Sequence, residues 1–356
     1  MRFFALFQRS RRQNPGTLLF WSSPSPYLAL SLWFALLILP LPCNGAEIIP
    51  FYTWNQSPLV QIFGLPAAER AILLPAGKAE GVLAVDVASN FAHDETSREK
   101  ILLDSEGFRF TLALRYGVAK GIEAGVDIPY VGKGGGFLDG FIEGWHDFFK
   151  LPQGGRKQAP RNRLLYNYTK DGQNLLKIDD SSFGLGDVRL SGGVQLYNDG
   201  KANPRAVALR ASLKLPTGES SELHGSGSTD FALWLTASDD YGLSLGHLTL
   251  FGAAGGMVMS DGDVLPDQQK NLAGFGTLGL GWAPVEWIAF KTQVSGHTAF
   301  YKDSELRELS NSGLQLLIGG TLFLYEKASL DIGVSEDIAV NTSPDIAFHL
   351  ALQRKF

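Results

Sequence analysis

Ionisable side chains fall at alternate positions in several runs of this chain: Asp86, Arg109, Arg115, Glu123, Asp127, Asp187, Arg189, Arg210, Lys214, Asp230, Lys291, His297, Asp331 and His349. Alternate residues of an extended strand share one face, so these groups would line one polar interior. Their signs are mixed and nearly balanced. A selective ion pore tends to carry one sign at its constriction. Mixed charge suits a bonded ladder or a solute path within a narrow lumen, where enclosed charges must pair or meet water.

Other chemistry has thinner support. A hydrolase needs a nucleophile beside a base with an orienting partner. His93, His146, His224, His247, His297 and His349 are available, and His224 lies near Ser220, Ser221 and Ser226. No G-x-S-x-G elbow occurs, and Gly225-Ser226-Gly227 is too short to serve as one. Serines in such a loop read first as turn formers. Asp261-Gly262-Asp263 lacks the further spaced acids of a calcium loop. The sole cysteine, Cys43, ends an N-terminal apolar run. Once that run is removed, disulfides, thiolate metal sites and a cysteine nucleophile are excluded. No enzyme activity, metal or cofactor is expected.

The elements that must position these groups show period-two alternation. In Phe108-Arg109-Phe110-Thr111-Leu112-Ala113-Leu114-Arg115-Tyr116 one face is apolar and the other polar. Such segments, about ten residues long, recur down the chain, which is the length and dyad pattern of transmembrane strands with lipid outside and a polar lumen. Strands are predicted near 80–91, 106–116, 121–130, 185–197, 205–215, 228–238, 245–258, 272–283, 286–297, 312–324, 328–336 and 345–356. No later apolar run is long enough for a transmembrane helix. The connections alternate between short turns and longer loops, among them 92–105, 131–184, 216–227, 259–271 and 298–311. Short periplasmic turns and long outer loops fit an all-β, antiparallel, up-and-down transmembrane barrel of about twelve strands.

Aromatic residues cluster beside the short turns: Tyr116, Tyr197, Tyr241, Trp282, Trp287 and Tyr325. They would form a periplasmic girdle at the headgroups. The last strand alternates through Phe348, Leu350 and Leu352 to a terminal Phe356, a pattern similar to the assembly signal of outer-membrane barrels, although Arg354 interrupts its apolar side. The partner that this implies is the barrel-assembly machinery. In the 131–184 loop, Phe137, Phe141, Trp145 and Phe148 share one face of a predicted short helix, a candidate lid. Arg156, Lys157, Arg161 and Arg163 follow and could meet lipopolysaccharide phosphates.

Residues 1–46 read as a signal peptide, with Arg2, Arg9, Arg11 and Arg12 before an apolar core and small residues near Ala46. Their removal takes the formal charge from −5 to −9, which argues against nucleic acid as a partner. Residues 47–79 precede the first strand and combine Pro50, Pro58, Pro66 and Pro75 with apolar pairs. They would enter the lumen as a plug or cap its periplasmic mouth, or else form an extended periplasmic arm. Residues 80–356 would form the barrel.

Asn55-Gln56-Ser57-Pro58 with Phe63-Gly64-Leu65-Pro66, and Gly134-Gly135-Gly136-Phe137-Leu138-Asp139 with Phe141-Ile142-Glu143 and His146, resemble an uncharacterised family of proteobacterial outer-membrane proteins, the domain-of-unknown-function family numbered 3187. The resemblance implies a barrel over nearly the whole mature chain and supplies no activity. Gly184-Leu185-Gly186-Asp187-Val188 and Lys214-Leu215-Pro216-Thr217-Gly218 are also similar to barrels associated with uptake of aromatic compounds. The expected function is a passive channel or uptake pore in an outer membrane for small molecules, hydrophobic ones included. The alternatives are a non-conducting structural or surface-interaction barrel and an outer-membrane lipid hydrolase.

Overall fold

The computed structural model describes residues 47–150, 160–325, 327–339 and 342–356. The expected signal peptide lies outside them, as do Arg156 and Lys157. In chain order the strands are β1 (Ala79–Glu95), β2 (Glu99–Ala119), β3 (Ile122–Gly134), β4 (Leu165–Lys170), β5 (Gln173–Ile178), β6 (Ser182–Leu185), β7 (Arg189–Asn198) and β8 (Arg205–Lys214). They continue with β9 (Asp230–Gly242), β10 (His247–Met259), β11 (Leu272–Val285), β12 (Ile288–His297), β13 (Gly313–Tyr325), β14 (Ala328–Ala339) and β15 (Ile346–Lys355).

Twelve strands close a ring in the order β1-β2-β3-β7-β8-β9-β10-β11-β12-β13-β14-β15. The last pairs antiparallel with the first from Glu80↔Lys355 to Ser89↔Ile346. Closure leaves the ring without a free edge, as lipid requires. The alternation is inverted relative to a soluble protein. Leu83, Phe110, Leu112, Leu233, Phe290 and Leu350 are exposed on the outer face, while the ionisable residues between them are buried.

Four details differ from the sequence expectation. The long loop expected over 92–105 is strand instead: β1 and β2 pair out to Glu95↔Lys100 and are joined by a short turn at 96–98, because the hairpin continues beyond the length that lipid requires. The single strand expected over 185–197 is two, β6 and β7, broken at 186–188. Pro129 on β3 has no N–H to give the ladder, and Gly186 packs against it, donating its own N–H to the Pro129 carbonyl at 2.8 Å. The 131–184 loop carries a β4–β5 hairpin that extends β2 beyond the ring. Its helix, α1 (Asp139–Phe149), begins after Phe137, so Phe137 does not share the helical face. Glu106 holds that residue in the preceding turn by accepting from its N–H at 2.6 Å. Phe137 and Phe148 are exposed, and the side chains of Phe141 and Trp145 lie outside the described residues.

Tyr116, Tyr197, Tyr241 and Trp287 are exposed near the short-turn end of the barrel. Trp282 is half-buried there and donates to the Leu245 carbonyl at 3.2 Å. Tyr325 closes β13. On β15, Leu350, Leu352 and the terminal Phe356 point outward, and the Arg354 guanidinium lies 5.4 Å from the Phe356 ring.

Candidate functional site: the lumen and its N-terminal hairpin

Residues 47–75 run inside the ring. They form no strand, so their backbone groups need partners that a ladder would otherwise give, and the inward side chains of the wall supply them. On the ascending leg, Lys291 donates to the Ile49 carbonyl at 3.1 Å and Gln293 accepts from the Phe51 N–H at 3.0 Å. Thr53 donates to Asp86 at 2.8 Å, and Asn55 donates to the His297 Nε2 at 2.8 Å. A turn at 57–63 follows, where Val60 and Gln61 both donate to the Ser57 carbonyl.

On the descending leg, Lys214 donates to the Ile62 carbonyl at 3.2 Å, and Asp230 accepts from the Gly64 N–H at 2.6 Å. Arg189 donates to the Leu65 carbonyl, Arg210 to the Arg70 carbonyl and Gln195 to the Ala71 carbonyl. Glu123 accepts from the Leu74 N–H at 2.9 Å. The segment is thus a hairpin. It rises along β12, turns near the long-loop end, descends along β7 and β8, and leaves at the mouth where it entered. Phe51, Trp54, Leu59, Ile62 and Phe63 on it are buried, each contributing about 1.5–3 kcal/mol by apolar burial.

Every lumen candidate from the sequence is buried: Asp86, Arg109, Arg115, Glu123, Asp127, Asp187, Arg189, Arg210, Lys214, Asp230, Lys291, His297, Asp331 and His349. They pair with one another and with the hairpin. Glu69 lies between Arg115 at 2.9 Å and Arg210 at 2.7 Å. Those arginines also hold Asp127 at 2.6 Å and Glu123 at 3.0 Å. Lys214 bridges Asp187 at 2.6 Å and Asp230 at 3.3 Å. Lys291 pairs with Asp331 at 2.9 Å, and His349 with Asp86 at 2.8 Å. The Trp54 ring carries two guanidiniums, Arg109 and Arg189, each 4.9 Å from its centroid. A charged pair removed from water needs this degree of satisfaction to persist.

Sequence reasoning missed the hairpin's own polar groups: Glu69, Arg70 (paired with Glu80), Trp54 and Gln56. The signal was present as an adjacent Glu-Arg pair inside a stretch otherwise too apolar to be solvated.

The long-loop mouth is covered. Phe63 stacks on Phe300 at 4.7 Å with planes 3° apart, and Tyr301 donates to the Leu59 carbonyl at 3.0 Å. Val264, Leu265, Leu306 and Leu309 are buried there beside Tyr166 and Tyr168 of the β4–β5 hairpin. The short-turn mouth keeps a cavity of about 430 Å³ between both legs of the hairpin, the β7–β8 turn at 202–204 and strands β9 and β10. Two other voids in the lumen measure about 30 and 20 Å³.

Outside the ring, His224 does not gather Ser220, Ser221 or Ser226. Its Nε2 lies 3.0 Å from Ser182 Oγ, which also accepts from Lys133 at 2.6 Å, and Lys133 in turn pairs with Glu222. Burial, reinforced by Lys133, lowers the His224 pKa below its ordinary value. Arg161 pairs with Glu143 and Arg163 with Asp104. Among the described residues no cluster of acids and histidines has metal-ligand geometry.

The chain is similar in fold to solved outer-membrane barrels. An outer-membrane channel from Pseudomonas putida F1 superimposes with a TM-score of 0.50 at 13% identity, over 80% of this chain and 98% of the channel. The NanC porin gives 0.43 at 8% identity, over 78% and 100%. The toluene transporter TbuX of Ralstonia pickettii gives 0.34 at 8% identity, over 80% and 90%. No curated protein matches in sequence. The family described as "Protein of unknown function (DUF3187)" matches residues 27–356, and the chain belongs to that family.

Proposed function

We propose that the protein is a gated passive channel of a bacterial outer membrane, closed at rest by residues 47–75, which passes small and partly apolar solutes. One observation carries this reading. The lumen is filled by a separate chain segment whose two ends share one mouth. A hairpin of that kind can withdraw without threading the barrel, whereas a lumen packed by wall side chains cannot empty. The likeness to channels of low sequence identity supports the fold, and the function rests on the hairpin. In this reading the short turns face the periplasm, the aromatic girdle sits at the inner headgroups, the outer loops meet lipopolysaccharide, and Phe348, Leu350, Leu352 and Phe356 direct assembly.

The test is single-channel recording of the full-length barrel and of a deletion of 47–75. Discrete openings in the full-length protein, replaced by steady conductance in the deletion, are expected. A full-length protein silent at every voltage, with conductance only after deletion, would instead make it a structural barrel. A specific observation favours that second reading: the outer loops pack directly on the hairpin's turn through Phe300 and Tyr301.

A further inference from the structure

The cavity of about 430 Å³ at the short-turn mouth is within the range of small-molecule sites, which are mostly apolar with a few placed polar groups. Its body is Ile48, Ala71, Ile72 and Phe251. Its polar end is Asp240, whose Oδ1 accepts from His247 Nδ1 at 2.8 Å and from Thr249 at 2.7 Å, and whose Oδ2 accepts from the Asn203 amide at 3.2 Å. Three carboxylates border the space, Glu47, Glu69 and Asp240, together with one guanidinium, Arg70, which is paired with Glu80. Glu47 is held by Lys355, and Glu69 by Arg115 and Arg210. Asp240 differs from them. Its side chain is 11% exposed, and the only ion-pair partner found for it among the described residues is a histidine that is charged only when protonated. Its hydrogen bonds are made, but no fixed cation among the described residues offsets its charge, which a second cation can still pair with. An ammonium group arriving with a ligand would do so.

We propose that this cavity binds a small amphipathic amine from the periplasmic side, with its apolar body against Ile48, Ile72 and Phe251 and its ammonium on Asp240. The orientation follows from that reading of the short turns, but the binding does not depend on conduction. Both legs of the hairpin and the wall line the cavity, so an occupant bridges them. By linkage it stabilises the closed form, increasingly as the free amine exceeds its Kd. If the barrel conducts, the amine is therefore an inhibitor of opening.

The probes are 4-fluorophenethylamine and its anionic counterpart 4-fluorophenylacetate, titrated by fluorine NMR into the barrel in zwitterionic nanodiscs. The titration is run at about pH 8, where the amine is cationic and the acid anionic. Saturable binding of the amine and not of the acid is expected. Asp240→Asn, which is isosteric, should weaken the amine about tenfold, and Ala71→Phe should abolish binding by filling the space. If Ala71→Phe does not fold, the Asp240→Asn comparison alone decides. Equal, non-saturating partition of both probes would overturn the site. Saturable binding of both probes, unchanged by Asp240→Asn, would overturn its assignment to amines. Silence in bilayer recordings would sink the channel and leave the binding result standing.

Discussion

The N–H of Gly64 donates to Asp230 Oδ2 at 2.6 Å, and a Cβ on Gly64 would lie 2.9 Å from the Asp230 Cβ. Hairpin and wall therefore touch at a point where only a hydrogen fits. The separation of 2.9 Å is shorter by more than half an ångström than the usual Cβ–Cβ range of a disulfide, about 3.5–4.5 Å, so the leg must ease outward slightly to accept one. Gly64→Cys/Asp230→Cys, in a Cys43→Ser background, should form a bond that ties the descending leg to β9. Oxidised protein should show no openings, and reduction should restore them. Openings that persist in fully cross-linked protein would mean that solutes pass without movement of this leg.

Lys291 and Asp331 form a fully buried pair at 2.9 Å, and the same ammonium lies 4.0 Å from the Phe51 ring centroid. Removing one partner strands the other charge. Lys291→Met should therefore cost on the order of 3 kcal/mol in denaturant unfolding. Lys291→Met/Asp331→Leu should recover most of that loss. A double variant as unstable as the single one would show that the pair's value lies in its contacts with Ile49 and Phe51.

The barrel was legible because lipid outside and charge inside force strict alternation over whole strands, as in Phe108–Tyr116. The β4–β5 hairpin was not read, although its sign was there. Tyr166 and Tyr168 alternate, and Asp171-Gly172 follows, both with positive φ, which is the pair that a tight two-residue hairpin turn prefers. It was obscured by lying in a long loop beyond the membrane span, with no lipid-facing half to set a pattern. The course of residues 47–75 was open for a different reason. An irregular segment has no periodicity, and its place is set by which distant side chains satisfy its backbone, such as Arg210 on the Arg70 carbonyl.

His224, in the long loop after β8, gives the pH dependence. Burial first, then Lys133, lower its pKa from the ordinary 6.5, while Glu222 and Glu219 partly offset them. The unfolded loop thus takes up a proton more readily than the folded one. Its stability is fully present above pH 6.5 and falls as pH drops below that value. Hydrogen exchange over 216–227 should show protection at about pH 8 that weakens at about pH 5, and His224→Gln should remove most of the difference. Equal intrinsic-rate-corrected protection at both pH values in the wild type would refute the assignment.

Trp54 sets how firmly the ascending leg is held. Its ring lies between Arg109 and Arg189, 4.9 Å from each, and desolvated contacts of this kind contribute about 1–2 kcal/mol apiece. The same guanidiniums also hold the turn and the descending leg, through the carbonyls of Gln61 and Leu65. Trp54→Ala removes the ring between them and leaves two like charges facing a void in the lumen, so both legs should loosen together. Open probability should rise at least tenfold in bilayer recordings, with single-channel conductance unchanged because the wall is intact. Trp54→Phe keeps an aromatic face and should fall between the two. If Trp54→Ala changed the conductance and left the open probability alone, the ring would belong to the permeation path, and the gate would have to be sought at the Phe63–Phe300 stack.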